Sequence, residues 1–295
     1  MDYELAASRE RRSFPLHFWL GLALTAGFWA LNWGLSGLRT HYLFFGLWLG
    51  FCLTVDGLTF WLRGSSMLTR NWRRFLSLFL LSAPVWWLFE FFNERLQNWH
   101  YLGTETLTAP VFRLWATLNF TTVIPAVFCA AELAASFKWI QRLPRGPRIQ
   151  PTRFTTLAFF FAGWVMLALL WIWPRWFFPF VWISVYFILE PINVWLGNRH
   201  LAQWTARGDW RPVVSLWVGV LICGFCWELW NYYSYPKWIY TISYADWLRI
   251  FEMPLLGYGG YLPFALELYA MTHLIAGLLG KKDAHFVAIE PPPQA

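Results

Sequence analysis

Two short stretches carry the residues best suited to chemistry. Residues 90–101 read EFFNERLQNWHY and residues 228–240 read ELWNYYSYPKWIY. Each sets a glutamate three positions before an asparagine and ends in Trp-x-Tyr, and the two glutamates stand 138 positions apart. A spacing of three places Glu90 with Asn93, and Glu228 with Asn231, on one face of a helix. A carboxylate beside an amide can work as a general acid or base, relay protons, or ligate a hard cation through oxygen. A second acidic pair repeats the theme. Asp56 opens DGLTFWLRG and Glu190 opens EPINVWLGN, each with Trp-Leu five and six positions later. If such carboxylates meet in a low dielectric they resist joint ionisation, so each pair is expected to share a proton.

The elements that position these residues follow from composition. The chain has 295 residues, 58% of them hydrophobic and only 13% charged. Soluble domains carry about 25% charged residues, so water is not the only solvent here. Runs such as FWLGLALTAGFWALNWGL and LAFFFAGWVMLALLWIW reach or approach the ~20 apolar residues of a spanning helix. Backbone groups in lipid must pair internally, and continuous apolar runs satisfy this as helices, whereas a barrel needs short alternating segments. The expected fold is an all-α, polytopic membrane bundle of about eight spans, at 14–35, 42–62, 75–93, 110–136, 154–174, 176–197, 213–232 and 250–279. The first of these is too long for a signal peptide, and no cleavage site follows it.

The echoes group these spans in fours. Asp56 and Glu190 are 134 positions apart, while Glu90 and Glu228, like Pro125 and Pro263, are 138 apart. Matches in one order at nearly one offset are the mark of an internal repeat. The reading is two tandem parallel four-helix repeats, residues 1–141 and 154–283, joined by a basic linker at 142–153 and followed by a Pro-rich tail at 284–295 expected to be disordered. An even number of spans per repeat gives both copies one orientation. Sorting Lys and Arg by loop with the N-terminus inside puts seventeen on the inner side and six on the outer. That bias places both termini in the cytoplasm, of a bacterial cytoplasmic membrane, and accounts for the net charge of +7 without nucleic-acid binding.

Three more acids, Glu132, Glu252 and Glu267, fall in or beside the fourth and eighth spans. A charge at the bilayer centre costs about 2.5–3.5 kcal/mol on insertion scales, which marks such residues as functional or internally paired. The last apolar stretch exceeds 30 residues, and Pro254, Gly257, Gly259, Gly260 and Pro263 predict an irregular segment before its final helix. The 24 Trp, 12 Tyr and 28 Phe are far more than interfacial anchoring needs. Trp99, Tyr101, Trp238 and Tyr240 suit such an anchoring belt; Trp48, Trp86, Trp87, Trp164 and Trp182 suit it less.

The four cysteines all fall in spans, and CGFC at 223–226 lacks the context of a redox motif. Histidine is scarce within the spans, so no zinc or haem site, and no cofactor, is expected; a hard cation at the Glu/Asn site is the one ion the pattern suits. The first functional reading is an enzyme acting on a membrane-dissolved lipid or isoprenoid, with Glu90 and Glu228 as acid and base and Asn93 and Asn231 orienting them. The others are a proton- or cation-coupled transporter, and a structural or assembly subunit.

Overall fold

The computed structural model describes residues 13–37 and 39–290. The chain is helical through most of its length: α1 (Leu16–Gly34), α2 (Arg39–Arg63), α3 (Trp72–Leu96), α4 (Ala109–Phe120), α5 (Val123–Ala134), α6 (Arg153–Ile172), α7 (Ser184–Leu196), α8 (Arg211–Tyr232) and α9 (Tyr258–Leu278). Six segments are long and apolar enough to cross a membrane: α2, α3, α4 with α5, α6, α8, and α9 with the turn before it. A seventh counts if residues 174–182 and α7, bent by 40° at their junction, form one span. The sequence pointed to about eight. The stretch at 14–35 does form a helix, α1, but His17, Asn32 and three tryptophans hold down its mean hydropathy. The stretch at 176–197 breaks because Pro174 and Pro179 sit in the short helical turns that precede α7. The architecture is that of a multi-pass helical membrane protein.

Local chemistry sets the element ends. Ser66 closes a capping box over the turn Met67–Arg70, and the Asn71 side chain accepts from the Arg74 N–H to start α3. Thr152 does the same for α6 through the Thr155 N–H. α7 ends on Gly197 at φ 66°, a conformation glycine adopts without strain. α6 leaves Phe154, Phe161, Trp164 and Val165 at least half exposed, a stripe that only lipid or another apolar surface would cover.

The centre of the bundle is α5, whose residues from Val123 to Ala134 are all buried. It packs against α2, α3 and α8. Its alanines let backbones approach closely, and on α8 the approach demands glycine: a Cβ at Gly219 would lie 2.4 Å from the Ala131 nitrogen.

The fold is not purely helical. Where the chain turns back after α3 and after α8 it forms β1 (Trp99–Leu102) and β2 (Lys237–Tyr240), which pair antiparallel as Trp99↔Tyr240, His100↔Ile239 and Tyr101↔Trp238. A second, two-residue pair, β3 (Arg249–Ile250) with β4 (Met253–Pro254), and a 3-10 turn at Leu255–Gly257 lead into α9. This is the irregular segment expected before the last helix; Pro263 is accommodated inside α9 itself. In the first half the matching break is the two-residue step at Thr121–Thr122 between α4 and α5.

The basic linker 142–153 is irregular up to the start of α6, and is tied to the bundle by Gly146 N–H to Gly208 O at 2.8 Å and Ile149 N–H to Thr205 O at 3.0 Å. The tail departs from expectation. Residues 284–290 pack at the same end of the molecule, with Ala284, Phe286, Val287 and Ile289 all buried. Arg63 donates to the Ala288 carbonyl, and the Ala288 N–H donates to Glu132. Four apolar side chains and two backbone hydrogen bonds outweigh the Pro-rich composition. The last five residues of the expected tail, 291–295, and the N-terminal Arg9, Arg11 and Arg12 lie outside the described residues.

Candidate functional site

The strand pair closes one end of an apolar cavity of about 480 Å³, a volume within the ~300–1,000 Å³ of small-molecule sites. Its walls come from both halves of the chain: the start of α2, α3 through Trp86, the inner face of α4, the turn at 178–183, α8 through Trp227, and the start of α9. Indoles of Trp86, Trp99, Trp182, Trp227 and Trp238 face it together with Phe44, Phe112, Phe120 and Phe264. Pro179, Leu256 and Gly259 are both exposed and part of the wall, which places an opening between the 178–183 turn and the start of α9.

Glu90 and Glu228 lie behind this wall, not in it. Glu90 Oε1 accepts from Tyr101 Oη at 2.6 Å, Trp86 Nε1 at 3.0 Å and Trp99 Nε1 at 3.1 Å. Glu228 Oε1 accepts from Tyr240 Oη at 2.7 Å and Tyr261 Oη at 2.8 Å, while Trp238 Nε1 donates to the Tyr240 hydroxyl. All six of those ring donors line the cavity, so each carboxylate is one hydrogen bond away from a guest. Burial, with the neighbouring carboxylate, pushes the phenols of Tyr101 and Tyr240 well above the usual tyrosine range, so both stay protonated donors.

Asn93 and Asn231 use their amides on their own hairpins. Asn93 donates to the Trp99 carbonyl at 2.8 Å and accepts from the N–H groups of Asn98 and Trp99. Asn231 donates to the Trp238 carbonyl at 2.7 Å and accepts from the Trp238 N–H. Each amide therefore holds a strand so that its Trp and Tyr face the carboxylate one helical turn back. Trp99, Tyr101, Trp238 and Tyr240, expected to suit an interfacial belt, serve here as hydrogen-bond donors on a strand pair, with Trp99 5% exposed.

The four duplicated acids fall into four separate networks. Glu90 and Glu228 are not bonded to each other, and no hydrogen bond joins Asp56 to Glu190 among the described residues. Asp56 accepts from Ser66 Oγ at 2.6 Å and the Leu68 N–H at 3.0 Å, with His17 Nε2 at 3.1 Å. Glu190 accepts from the Ala202 N–H at 2.8 Å. Both reach twelve residues ahead to the start of a one-turn helix, where free N–H groups and the helix dipole favour an anion. The shared proton expected of each pair thus has no hydrogen bond to carry it.

Glu132 takes a bidentate pair from Arg70 at 2.5 and 2.6 Å. Glu267 accepts from the Val185 N–H at 3.1 Å and so caps α7 from α9. Glu252 pairs with Lys237 beside β2, with Arg249 at 3.8 Å. Asp56, Glu132, Glu190, Glu228 and Glu267 are each no more than 3% exposed, so protein surrounds them, not headgroups. Among the described residues no three His, Cys, Asp or Glu side chains are grouped to hold a metal ion.

Tyr261 is the site residue the motifs did not point to. It stands 33 positions after the glutamate it serves. A trace of it exists in the sequence at the same 138-residue offset: Gly224 stands opposite Trp86 and Tyr261 opposite Val123. No protein-family model, curated protein or solved structure matches the chain.

Proposed function

We propose that the chain is an integral membrane enzyme that takes an apolar, membrane-dissolved lipid or isoprenoid into the aromatic cavity and moves protons on it through Glu90 and Glu228. The observation that carries this reading is the position of the phenols. Tyr101, Tyr240 and Tyr261 face the cavity while their protons point back to a carboxylate oxygen. Such a phenol keeps a lone pair, even on Tyr240 where Trp238 takes the other, to accept a proton from a guest as its own proton passes to the glutamate. The reverse sequence returns it, so the pair serves as base and then as acid. Asn93 and Asn231 position the strands and do not touch the guest.

The protein is built, on this reading, as two tandem four-helix repeats with both termini on the cytoplasmic side. The strand ladder supports it: His100 pairs with Ile239, and the Trp99↔Tyr240 pair is exchanged with Tyr101↔Trp238 when the halves are swapped. Such a self-matching contact is what a twofold axis produces. The twelve-residue reach of both Asp56 and Glu190 supports it as well. The second reading, a structural or assembly subunit, draws on those two acids and Glu267, whose hydrogen bonds all cap short or broken helices.

The test is mass spectrometry of small molecules that co-purify with wild type and with the Glu90→Gln/Glu228→Gln double variant. A specific isoprenoid or lipid enriched in one sample or altered between them is the expected result. Bulk phospholipid alone in both overturns the enzyme and leaves the structural reading or a transporter.

A further inference from the structure

Every hydrogen bond that Glu90 and Glu228 make is one the carboxylate receives. Three N–H or O–H donors converge on Oε1 of Glu90 and two on Oε1 of Glu228. Among the described residues nothing is placed to accept a proton from either acid. Among the described residues Glu228 Oε2 is buried and has no partner. Donors alone are the surroundings of an anion.

These two carboxyl groups also lack a counter-ion. Glu132 has Arg70 and Glu252 has Lys237, but among the described residues no Lys, Arg or His lies within salt-bridge distance of Glu90 or Glu228. Lys237, the one Lys or Arg on the cavity wall among those residues, is committed to Glu252. The cavity that their ring donors line is faced with indole and phenyl rings, whose faces attract positive charge. An ordinary ammonium would lose too much hydration on entering such a space. A quaternary or delocalised cation, held weakly by water, loses little.

We infer that the cavity is built to hold an apolar guest bearing a quaternary or delocalised positive charge. The inference rests on the cavity being a ligand site, as proposed above, and names the charge of what it holds: an onium ligand.

The experiment uses two ions of one shape and opposite charge, tetraphenylphosphonium and tetraphenylborate, with the full-length protein in nanodiscs of zwitterionic lipid. Tryptophan quenching is read after subtracting partition into empty discs. The expected result is a saturable phosphonium site at least about tenfold tighter than any borate site. Glu228→Gln and Glu90→Gln should each weaken the phosphonium about tenfold and leave the borate unweakened. Trp182→Leu removes a ring from the wall without touching either carboxylate, and should cost the phosphonium about threefold even if the glutamate variants fail to insert. Equal affinity for the two ions, unaffected by the glutamate variants, overturns the charge assignment and leaves the cavity as a neutral site. Saturable binding of neither ion overturns the cavity as a ligand site.

Discussion

Around Glu90 the donor from outside the strand is Trp86, on the same helix and one turn back; around Glu228 it is Tyr261, from a different helix. At the 138-residue offset that separates the two glutamates, Gly224 stands opposite Trp86 and Val123 opposite Tyr261. The exchange is steric as well as chemical. A Cβ at Gly224 would sit 2.6 Å from the Tyr261 ring, so the glycine leaves the space that the phenol fills. The first network is thus complete within one helix and its hairpin. The second is complete only when α9 is docked, and the start of α9 also forms one lip of the cavity opening. Glu90 is thus a local anchor, and Glu228 a sensor of helix packing.

The largest test of that difference removes the acceptors. Glu228→Leu leaves the hydroxyls of Tyr240 and Tyr261 without an acceptor, at about 1–3 kcal/mol each. Glu90→Leu strands three donors, but Glu90 is only half-buried and water can replace the lost oxygen. Thermal unfolding in detergent should therefore fall further for Glu228→Leu, and the opposite ranking would mean that the second network is the more solvated of the two.

A smaller effect sharpens the steric half of the comparison. Gly224→Trp alone should cost about 1–3 kcal/mol by overpacking against Tyr261. Adding Tyr261→Val, which rebuilds the arrangement around Glu90, should restore at least about 1 kcal/mol of it, a coupling that non-contacting sites do not show. Simple additivity in the double variant would sever the link between the two positions.

The smallest effect is on the strand tyrosines. Because the phenols of Tyr101 and Tyr240 are raised above the ordinary value of about 10, the folded protein keeps protons that the unfolded chain loses. Their contribution to stability is fully present below about pH 10 and is lost as pH rises beyond it. Ultraviolet titration should show these two ionising only on alkaline unfolding, and replacing either with Phe should remove its share of the alkaline loss. Normal titration of both in the folded protein would place them in contact with bulk water.

Much of this was legible in the sequence, for reasons particular residues make plain. Glu90 and Asn93, and Glu228 and Asn231, are three apart on helices, and helical spacing fixes a shared face without any tertiary knowledge. Trp-x-Tyr after each motif is a strand alternation, legible in hindsight as the two hydrogen-bonding rings on one side of β1 and β2. What lay beyond reach was distance. Whether Asp56 and Glu190 met each other or their own loops depends on how the helices pack, and the answer, a backbone N–H twelve residues ahead, carries no side-chain pattern to read. Tyr261 was hidden for the same cause, and the tail was misjudged because its three prolines, Pro291 to Pro293, drew attention from Phe286, Val287 and Ile289 just before them.

The ladder between β1 and β2 has a further consequence. Each strand carries the rings of one carboxylate, and among the described residues the one strand paired with each is the other. Register in such a pair has period two, so a slip of one residue would turn Trp99 and Tyr101 away from Glu90, and Trp238 and Tyr240 away from Glu228, in a single movement. Two anions far apart in the chain are thereby geared to one mechanical coordinate, and an insertion of one residue in either hairpin would unseat both.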